Sequence, residues 1–248
     1  MFSIDLNCDM GEGIGYDEAI MPYISSANIA CGYHAGNEKI IRQTIGLAKK
    51  HKVSIGAHPS FFDKENFGRL EINLPVEEVY KLMTQQLTLF SDIATALNVN
   101  IHHVKPHGAL YNMAAKNTGL AKIIAKAVKD FDADLILSGL SGSYSISEAK
   151  TIGLKTASEV FADRTYQDDG SLTPRSQPYA LIEDADKAVQ QSLQMIKERT
   201  VTTVSGKTIP IIAETICIHG DGKYAIEIAK KINDSLKKEG IKIKAVDK

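Results

Sequence analysis

The sequence predicts an α/β fold: a single distorted TIM-like (β/α) barrel with about seven parallel strands. Three observations carry that expectation. Short β-rich runs alternate with longer stretches of helical period along the chain, the pattern of parallel strands joined by helical crossovers. The length, 248 residues, suits one barrel of this type, which commonly takes about 250 residues. In "FSIDLNCDM", Phe2, Ile4, Leu6, Cys8 and Met10 share one strand face, and Ser3, Asp5, Asn7 and Asp9 share the other. A parallel strand of an open sheet is covered by helices on both sides and should be apolar on both. One apolar face and one face of carboxylates and amide suit the wall of a barrel near the mouth of a site.

The strands read in order as "FSIDLN", "SANIAC", "VSIGAH", "IHHVKP", "DLILSG", "KTASEVF" and "ETICIH". Each is a short run bounded by turn-forming residues. Helical periodicity follows most of them, over residues 37–51, 75–98, 117–130, 143–151, 179–198 and 222–239. A short helix in "DEAIMPYI" fills the first connection. Asn37 and Asn117 suit helix N-caps, because their side-chain oxygens accept from the first free backbone N–H groups, and Pro75 suits a first turn. "TVTTVSGKTIPI" reads as a β-hairpin turning at Ser-Gly, a local excursion near 201–211. The tail "IKIKAV" suggests an eighth strand. No linker, low-complexity segment or repeat divides the chain, so residues 1–248 are expected to form one domain.

Composition narrows the function classes. With 44% hydrophobic and 24% charged residues the chain is expected to be a soluble globular protein that buries its own core. A net charge of −1 argues against nucleic acid as a partner, since neutralising a phosphate backbone takes a concentrated basic face. No apolar run approaches the roughly 20 residues needed to span a bilayer, and "MFSIDLNCDMGEG" does not read as a secretory leader. Three sparse cysteines, Cys8, Cys31 and Cys217, do not form a disulfide framework. A cytoplasmic protein with free thiols is the expectation.

The chemistry gathers at strand ends, where parallel α/β folds place their sites. "HHVKPHGALYN" carries His103, Lys105 and His107 on one parity. His103 and His107 lie about 13 Å apart on an extended strand at roughly 3.3 Å per residue, too far to share one metal ion unless the chain turns. Lys105 and His107 are therefore the expected functional groups. "IGAHPSF" ends a strand in His58, "ICIHGDG" ends one in His219 with Asp221 beyond it, and "IACGYHAGN" places His34 just past a strand. "TASEVFADR" points Glu159 inward and continues to Asp163 and Arg164, while "GEGIG" brings Glu12 after the first strand. Asp168 and Asp169 sit in a loop that could cover the site. Unpaired charges inside a barrel are costly, so these groups must pair with each other, with water or with a ligand. Carboxylates and histidines exchange protons near neutral pH, and Lys and Arg hold carboxylate or phosphate. There is no P-loop and no nucleotide-binding glycine fingerprint, so the chain offers no standard cradle for ATP. Attack of an activated water on an amide carbonyl is the simplest reaction these residues support.

Six motifs, "DLNCDMGEG", "SANIACGYHAG", "IGAHPSFFD…FGRL", "HVKPHGALYN", "EVFADRTYQDDGSLTPR" and "ICIHGD", strongly resemble the LamB/YcsF family, in order and over nearly the whole chain. The chain departs from the family's usual second arginine at Arg69-Leu70. The resemblance implies a barrel similar to polysaccharide deacetylase-like folds. It implies cleavage of 5-oxo-L-proline to L-glutamate driven by ATP hydrolysis, together with the 5-oxoprolinase subunits B and C, with ATP handled with those partners. Under that reading Asp9 or Glu12 serves as general base for water, with Asp5 and Asn7 orienting it. His34, His58 and His107 donate to the ring oxygen or nitrogen. Lys105 and Arg164 bind the substrate carboxylate or a transferred phosphate, and Glu159, His219 and Asp221 complete the wall. The residues leave two alternatives open: a metal-dependent amino-sugar deacetylase, or a non-catalytic subunit that binds 5-oxoproline. Whether a metal is bound is left unassigned.

Overall fold

The computed structural model describes residues 2–220 and 222–248. Asp221, one of the expected wall residues, lies outside the described residues. The strands are β1 (Ser3–Met10), β2 (Ser26–Ala30), β3 (Ser54–His58), β4 (His103–Val104), β5 (Ile136–Leu140) and β6 (Lys155–Phe161). After them come β7 (Thr200–Thr202), β8 (Thr208–Pro210), β9 (Thr215–Ile218) and β10 (Lys242–Ile243). Strands β1 to β6 pair in sequence order and in parallel, β6 pairs with β9, and β9 pairs back onto β1, which closes a ring of seven parallel strands. The closing register runs from Asp5↔Thr215 to Cys8↔Ile218.

The alternation in β1 explains why the sheet curls. Leu6, Cys8 and Met10 are buried in the apolar core cluster, while Asp5, Asn7 and Asp9, also buried, bond to one another's neighbours across the barrel. Closure gives these polar groups partners that a helix layer could not provide. The helices are α1 (Asp17–Ile20), α2 (Glu38–His51), α3 (Val76–Ala96), α4 (Gly108–Lys116), α5 (Thr118–Phe131), α6 (Tyr144–Thr151), α7 (Ala185–Lys197) and α8 (Ala225–Lys238). Their apolar stripes, such as Ile41 and Ile45 of α2 or Leu87 and Phe90 of α3, are buried in the same core. Each fully buried side chain of this size contributes about 1.5–3 kcal/mol. Among the described residues no helix is long and apolar enough to cross a membrane.

Asn37 caps α2 by accepting from the Ile40 N–H at 3.1 Å, and Asn117 caps α5 by accepting from the Leu120 N–H at 3.0 Å. Pro75 immediately precedes α3. β7 and β8 pair in antiparallel fashion as the hairpin. Three elements differ from the sequence expectation. The helix expected from 179 begins at Ala185, because the Asp184 carboxylate caps it by accepting from the N–H groups of Asp186 and Lys187. β4 keeps only two residues, and a helix absent from the sequence reading, α4, begins directly after His107. Gly108 makes that sharp entry at φ +56°, and its Cα lies so near the Gly68 carbonyl oxygen that a Cβ would stand 2.4 Å from it. The eighth strand expected in the tail is present as β10, parallel to the first residues of β1 at Ser3↔Lys242 and outside the closed ring.

Candidate active site at the barrel mouth

The barrel interior is a column of polar side chains, each tier resting on the one below. Lowest is Asp5, whose carboxylate accepts from the hydroxyls of Ser25 at 2.6 Å, Ser26 at 2.8 Å and Thr215 at 2.6 Å. Burial raises the pKa of this carboxyl, against the pull of those three hydroxyls. Above it, Asn7 Nδ2 donates to Thr215 Oγ1 at 2.6 Å and to Glu159 Oε1 at 2.9 Å. Asn28 Nδ2 donates to Asn7 Oδ1 at 2.7 Å and to Asp9 Oδ1 at 2.8 Å, and His103 Nε2 meets Asn28 Oδ1 at 2.7 Å. The His103 ring crosses β3 at Gly56, where a Cβ would lie 2.2 Å from Nε2, so only glycine leaves it room. His103 thus belongs to the lower interior, apart from His107.

The next tier is organised around one ammonium. Lys105 Nζ lies 2.8 Å from Asp9 Oδ1, 2.9 Å from Glu159 Oε1 and 3.1 Å from Cys217 Sγ. Burial opposes the charge of Lys105, but Asp9 and its neighbours hold its pKa well above the ordinary value. Burial likewise opposes ionisation of Asp9, and His58 and then Lys105 overcome it, so Asp9 stays well below the usual carboxylate range. Burial pushes the Cys217 thiol well up despite Lys105, so Cys217 is a thiol and not a thiolate nucleophile. Glu159 Oε2 and the Tyr111 hydroxyl are buried without a hydrogen bond of ordinary geometry. Burial, and then the Glu159 charge, hold the Tyr111 phenol well above its usual pKa.

At the mouth stand three histidines. His58 Nδ1 lies 2.7 Å from the Lys105 carbonyl oxygen, and its Nε2 is 3.4 Å from Asp9 Oδ2 and 2.9 Å from His107 Nδ1. His107 Nε2 lies 2.9 Å from the Phe67 carbonyl oxygen. His34 stacks on His107 with ring centroids 3.7 Å apart and planes 5° from parallel. His34 Nδ1 is 2.9 Å from Ser60 Oγ, and its Nε2 is 3.1 Å from Glu12 Oε1. Burial drives the His34 pKa down to about 2, so the ring is neutral at working pH. Burial, with His34 and His58 beside it, also lowers His107 well below its usual value. Across the mouth, Asp163 accepts from the backbone N–H of His219 at 2.8 Å and contacts its Nδ1 at 2.9 Å, while Phe161 stacks on the same ring at 5.4 Å.

These groups surround a cavity of about 360 Å³. Of the residues expected from sequence, Asp9, Glu12, His58, Lys105, His107, Arg164 and His219 line it. Asp5, Asn7, His34 and Glu159 are held behind that lining by the bonds described. The Arg164 guanidinium donates to the carbonyl oxygens of Thr173 and Ala180 and so pins the loop that follows β6. Asp168 takes no part in the cavity: it accepts from Thr203 and Ser205 and pairs with Lys207, anchoring the hairpin. The sequence reading gave no site role to Arg69, Tyr111, Lys116 and Arg175, which also border the cavity. Arg175 was visible in "GSLTPR", but no periodicity marks a loop residue as facing a site.

Two groups place potential metal ligands within 4.8 Å of one another: Glu12, His34, His58 and His107, and Asp9, Cys217 and His219. An imidazole binds an ion in its own ring plane. The planes of His34 and His107 are parallel with centroids 3.7 Å apart, so the two rings as arranged do not share one ion. In the second group the Lys105 ammonium already lies against Asp9 and Cys217.

A model of the LamB/YcsF family matches residues 4–248. The chain is 50% identical over 251 residues to a protein of Tolumonas auensis named as the A subunit of 5-oxoprolinase, covering 99% of this chain and 100% of the relative. The crystal structure of a lactam utilization protein from Thermus thermophilus superposes with a TM-score of 0.92 at 40% identity, covering 98% of this chain and 100% of that one. The T48 deacetylase with substrate superposes with a TM-score of 0.52 at 13% identity, over 99% of this chain and 89% of that one, a likeness of fold as the deacetylase-type barrel expectation required.

Proposed function

The chain belongs to the LamB/YcsF family, and from that premise we propose that it is the A subunit of an ATP-dependent 5-oxoprolinase, opening the ring of 5-oxo-L-proline to give L-glutamate. The observation that carries this reading is the single cavity at which Asp9, Glu12, His58, Lys105, His107 and His219 meet. Its volume of about 360 Å³ suits a small lactam. Full-length similarity to a relative named for this reaction supports the same substrate.

A five-membered lactam is a stable amide, and its carbonyl carbon is a weak electrophile. Partner subunits B and C use ATP to phosphorylate the lactam oxygen, which makes that carbon reactive, and this chain completes the hydrolysis. That division agrees with a sequence lacking a P-loop. Glu12, which lines the cavity, takes the proton of the attacking water, while Asp9, held well down by His58 and Lys105, stays a charged partner. Asp9 and Lys105 fix the electrostatic field at the cavity floor. His219, oriented by Asp163, donates to developing negative charge on the substrate. The exposed Arg175 at the rim holds the substrate carboxylate.

Reconstitution tests the proposal. The purified chain is combined with candidate B and C subunits, ATP and 5-oxoproline, and glutamate and ADP are measured together. Equal appearance of both, lost when any one component is omitted, is the expected result. Glutamate without ADP, or ADP without glutamate, overturns it.

A further inference from the structure

The rim of the cavity carries more positive charge than its own acids balance. Lys116 ends α4, and Arg175 sits in the loop that follows β6; both are exposed and both border the cavity. Arg164 borders it too, and is only 5% exposed. Among the described residues none of the three forms an ion pair. The Arg164 guanidinium donates to the carbonyl oxygens of Thr173 and Ala180, which fix the side chain but cancel none of its charge. Burial, and then the charge of Arg175, lower its pKa to about 10, so it is still a cation at neutral pH and Arg175 is near enough to repel it.

The neighbouring acids are already engaged. Asp9 holds Lys105, Glu12 contacts His34, and Asp163 accepts from His219. Asp169, which feels the charge of Lys116, accepts from the Ser171 N–H. Arg69 and Glu71, both after β3, bring one charge of each sign to the rim. Lys116, Arg164 and Arg175 are what is left over. A buried cation without a carboxylate beside it is costly, and two more cations at the same opening add to that cost. An anion entering the opening removes it.

We infer that this rim is the subsite for the phosphoryl group of the activated lactam, an assignment that rests on the ring-opening reading above. Lys116 contacts the phosphoryl oxygens, Arg175 contacts the ring carboxylate, and Arg164 supplies fixed positive charge. Free 5-oxoproline brings a single negative charge to three cations. A phosphoryl group adds about 1.5–2 more, so the activated lactam matches the rim and the free lactam does not. The chain thereby selects the product of the phosphorylation step over its starting material. Opening the C–N bond of that compound uses one water, whose oxygen joins the ring carbon and whose two hydrogens join the nitrogen. The result is an acyl phosphate. A second water divides it into carboxylate and inorganic phosphate, and the proton released passes to the amine. If the rim does not hold the phosphoryl group, water removes it before the ring opens, which returns 5-oxoproline and phosphate and consumes ATP without yielding glutamate.

Inorganic phosphate is the probe for the chain alone. A titration of the full chain followed by ³¹P NMR near neutral pH is expected to show saturable binding that sulfate displaces and an equal concentration of acetate does not. Lys116→Ala is expected to weaken phosphate binding about tenfold, the loss of one charge-assisted hydrogen bond. Lys116→Arg is expected to restore most of it. Lys122→Ala, on α5 beside Glu148, is expected to leave it unchanged. No saturable binding, equal affinity in Lys116→Ala, or acetate as effective as phosphate would overturn the inference. In the reconstituted complex, Lys116→Ala is expected to raise the ratio of ADP to glutamate above that of the wild type; an unchanged ratio at an unchanged rate refutes the hold on the activated lactam. If the wild-type complex forms no glutamate, the proposed function fails, while the titration of the chain alone still decides whether the rim takes phosphate.

Discussion

The lower interior of the barrel and its mouth are built from the same residue types, and they differ in what their hydrogen bonds leave over. Around Asp5, Asn7 and Asn28 the donors and acceptors meet one another at 2.6–2.9 Å, within a space closed by strands on every side. One tier up, Glu159 Oε2 and the Tyr111 hydroxyl lack a hydrogen bond of ordinary geometry, and at the mouth ring nitrogens of three histidines converge beside a cavity. A fully satisfied polar network stiffens a core, whereas a partly satisfied one is costly unless something else completes it. On the proposed reading the lower tier is framework and the upper tier is the machinery that substrate completes. Lys105 joins them.

The largest effect should come at that junction. Lys105→Met leaves Asp9 and Glu159 buried without their ammonium, and removing one partner of a buried pair costs about 3–5 kcal/mol. Urea unfolding should show it. A loss near zero would mean that the two tiers do not depend on a shared charge.

A matched pair of substitutions separates framework from machinery. Thr215→Val keeps the side-chain shape but removes a donor to Asp5 and an acceptor for Asn7, so stability should fall by about 1–3 kcal/mol while kcat of the folded enzyme changes little. His219→Ala should do the reverse, cutting turnover by roughly 100-fold with a change in unfolding free energy of under about 1 kcal/mol. If both variants lose stability and turnover in the same proportion, the division is wrong.

Acid should find the histidines next. Burial lowers the pKa values of His34, His103 and His107, His34 to about 2. In the unfolded chain they titrate near 6.5. Below that value the unfolded state takes up protons that the folded state refuses, so stability falls as pH falls. Each such histidine contributes roughly 1.4 kcal/mol per pH unit once pH is well below 6.5. Above about pH 7.5 the contribution vanishes. Melting temperatures at pH 7.5 and 5.5 should differ clearly, and replacing His34 with Gln should reduce the difference. A Tm that does not move between those pH values would break this account. The smallest effect belongs to the rim: Arg175→Ala should raise KM about tenfold and leave stability within about 0.5 kcal/mol.

Much of this was legible in the sequence because local period carries it. The parity of β1 separates Leu6, Cys8 and Met10 from Asp5, Asn7 and Asp9, and that split alone implies a closed barrel with a polar interior. The histidines at strand ends mark the mouth for the same reason. Pairing is another matter. The Lys105 ammonium meets Asp9 across 96 residues of chain and Asn7 meets Glu159 across 152, and no periodicity encodes which inward groups neutralise each other. Lys105 and Arg164 were expected to hold substrate, and the contacts instead spend one on two buried carboxylates and the other on loop carbonyls. Helix α4 escaped notice because Pro106 and Gly108 read as a turn. They are one, and the helix starts inside it.

Ring closure between β1 and β9 also fixes when the molecule can be finished. Asp5 waits for Thr215, a separation of 210 residues, before its carboxylate has its full set of hydroxyl donors. At about 5–20 residues per second on the ribosome, that wait lasts on the order of 10–40 s. Throughout it the nascent chain carries an open strand edge and half-paired interior charges, a state prone to sticking to its neighbours. Synthesis that stops short of the last barrel strand therefore yields no smaller working version of this protein, only an unclosed sheet.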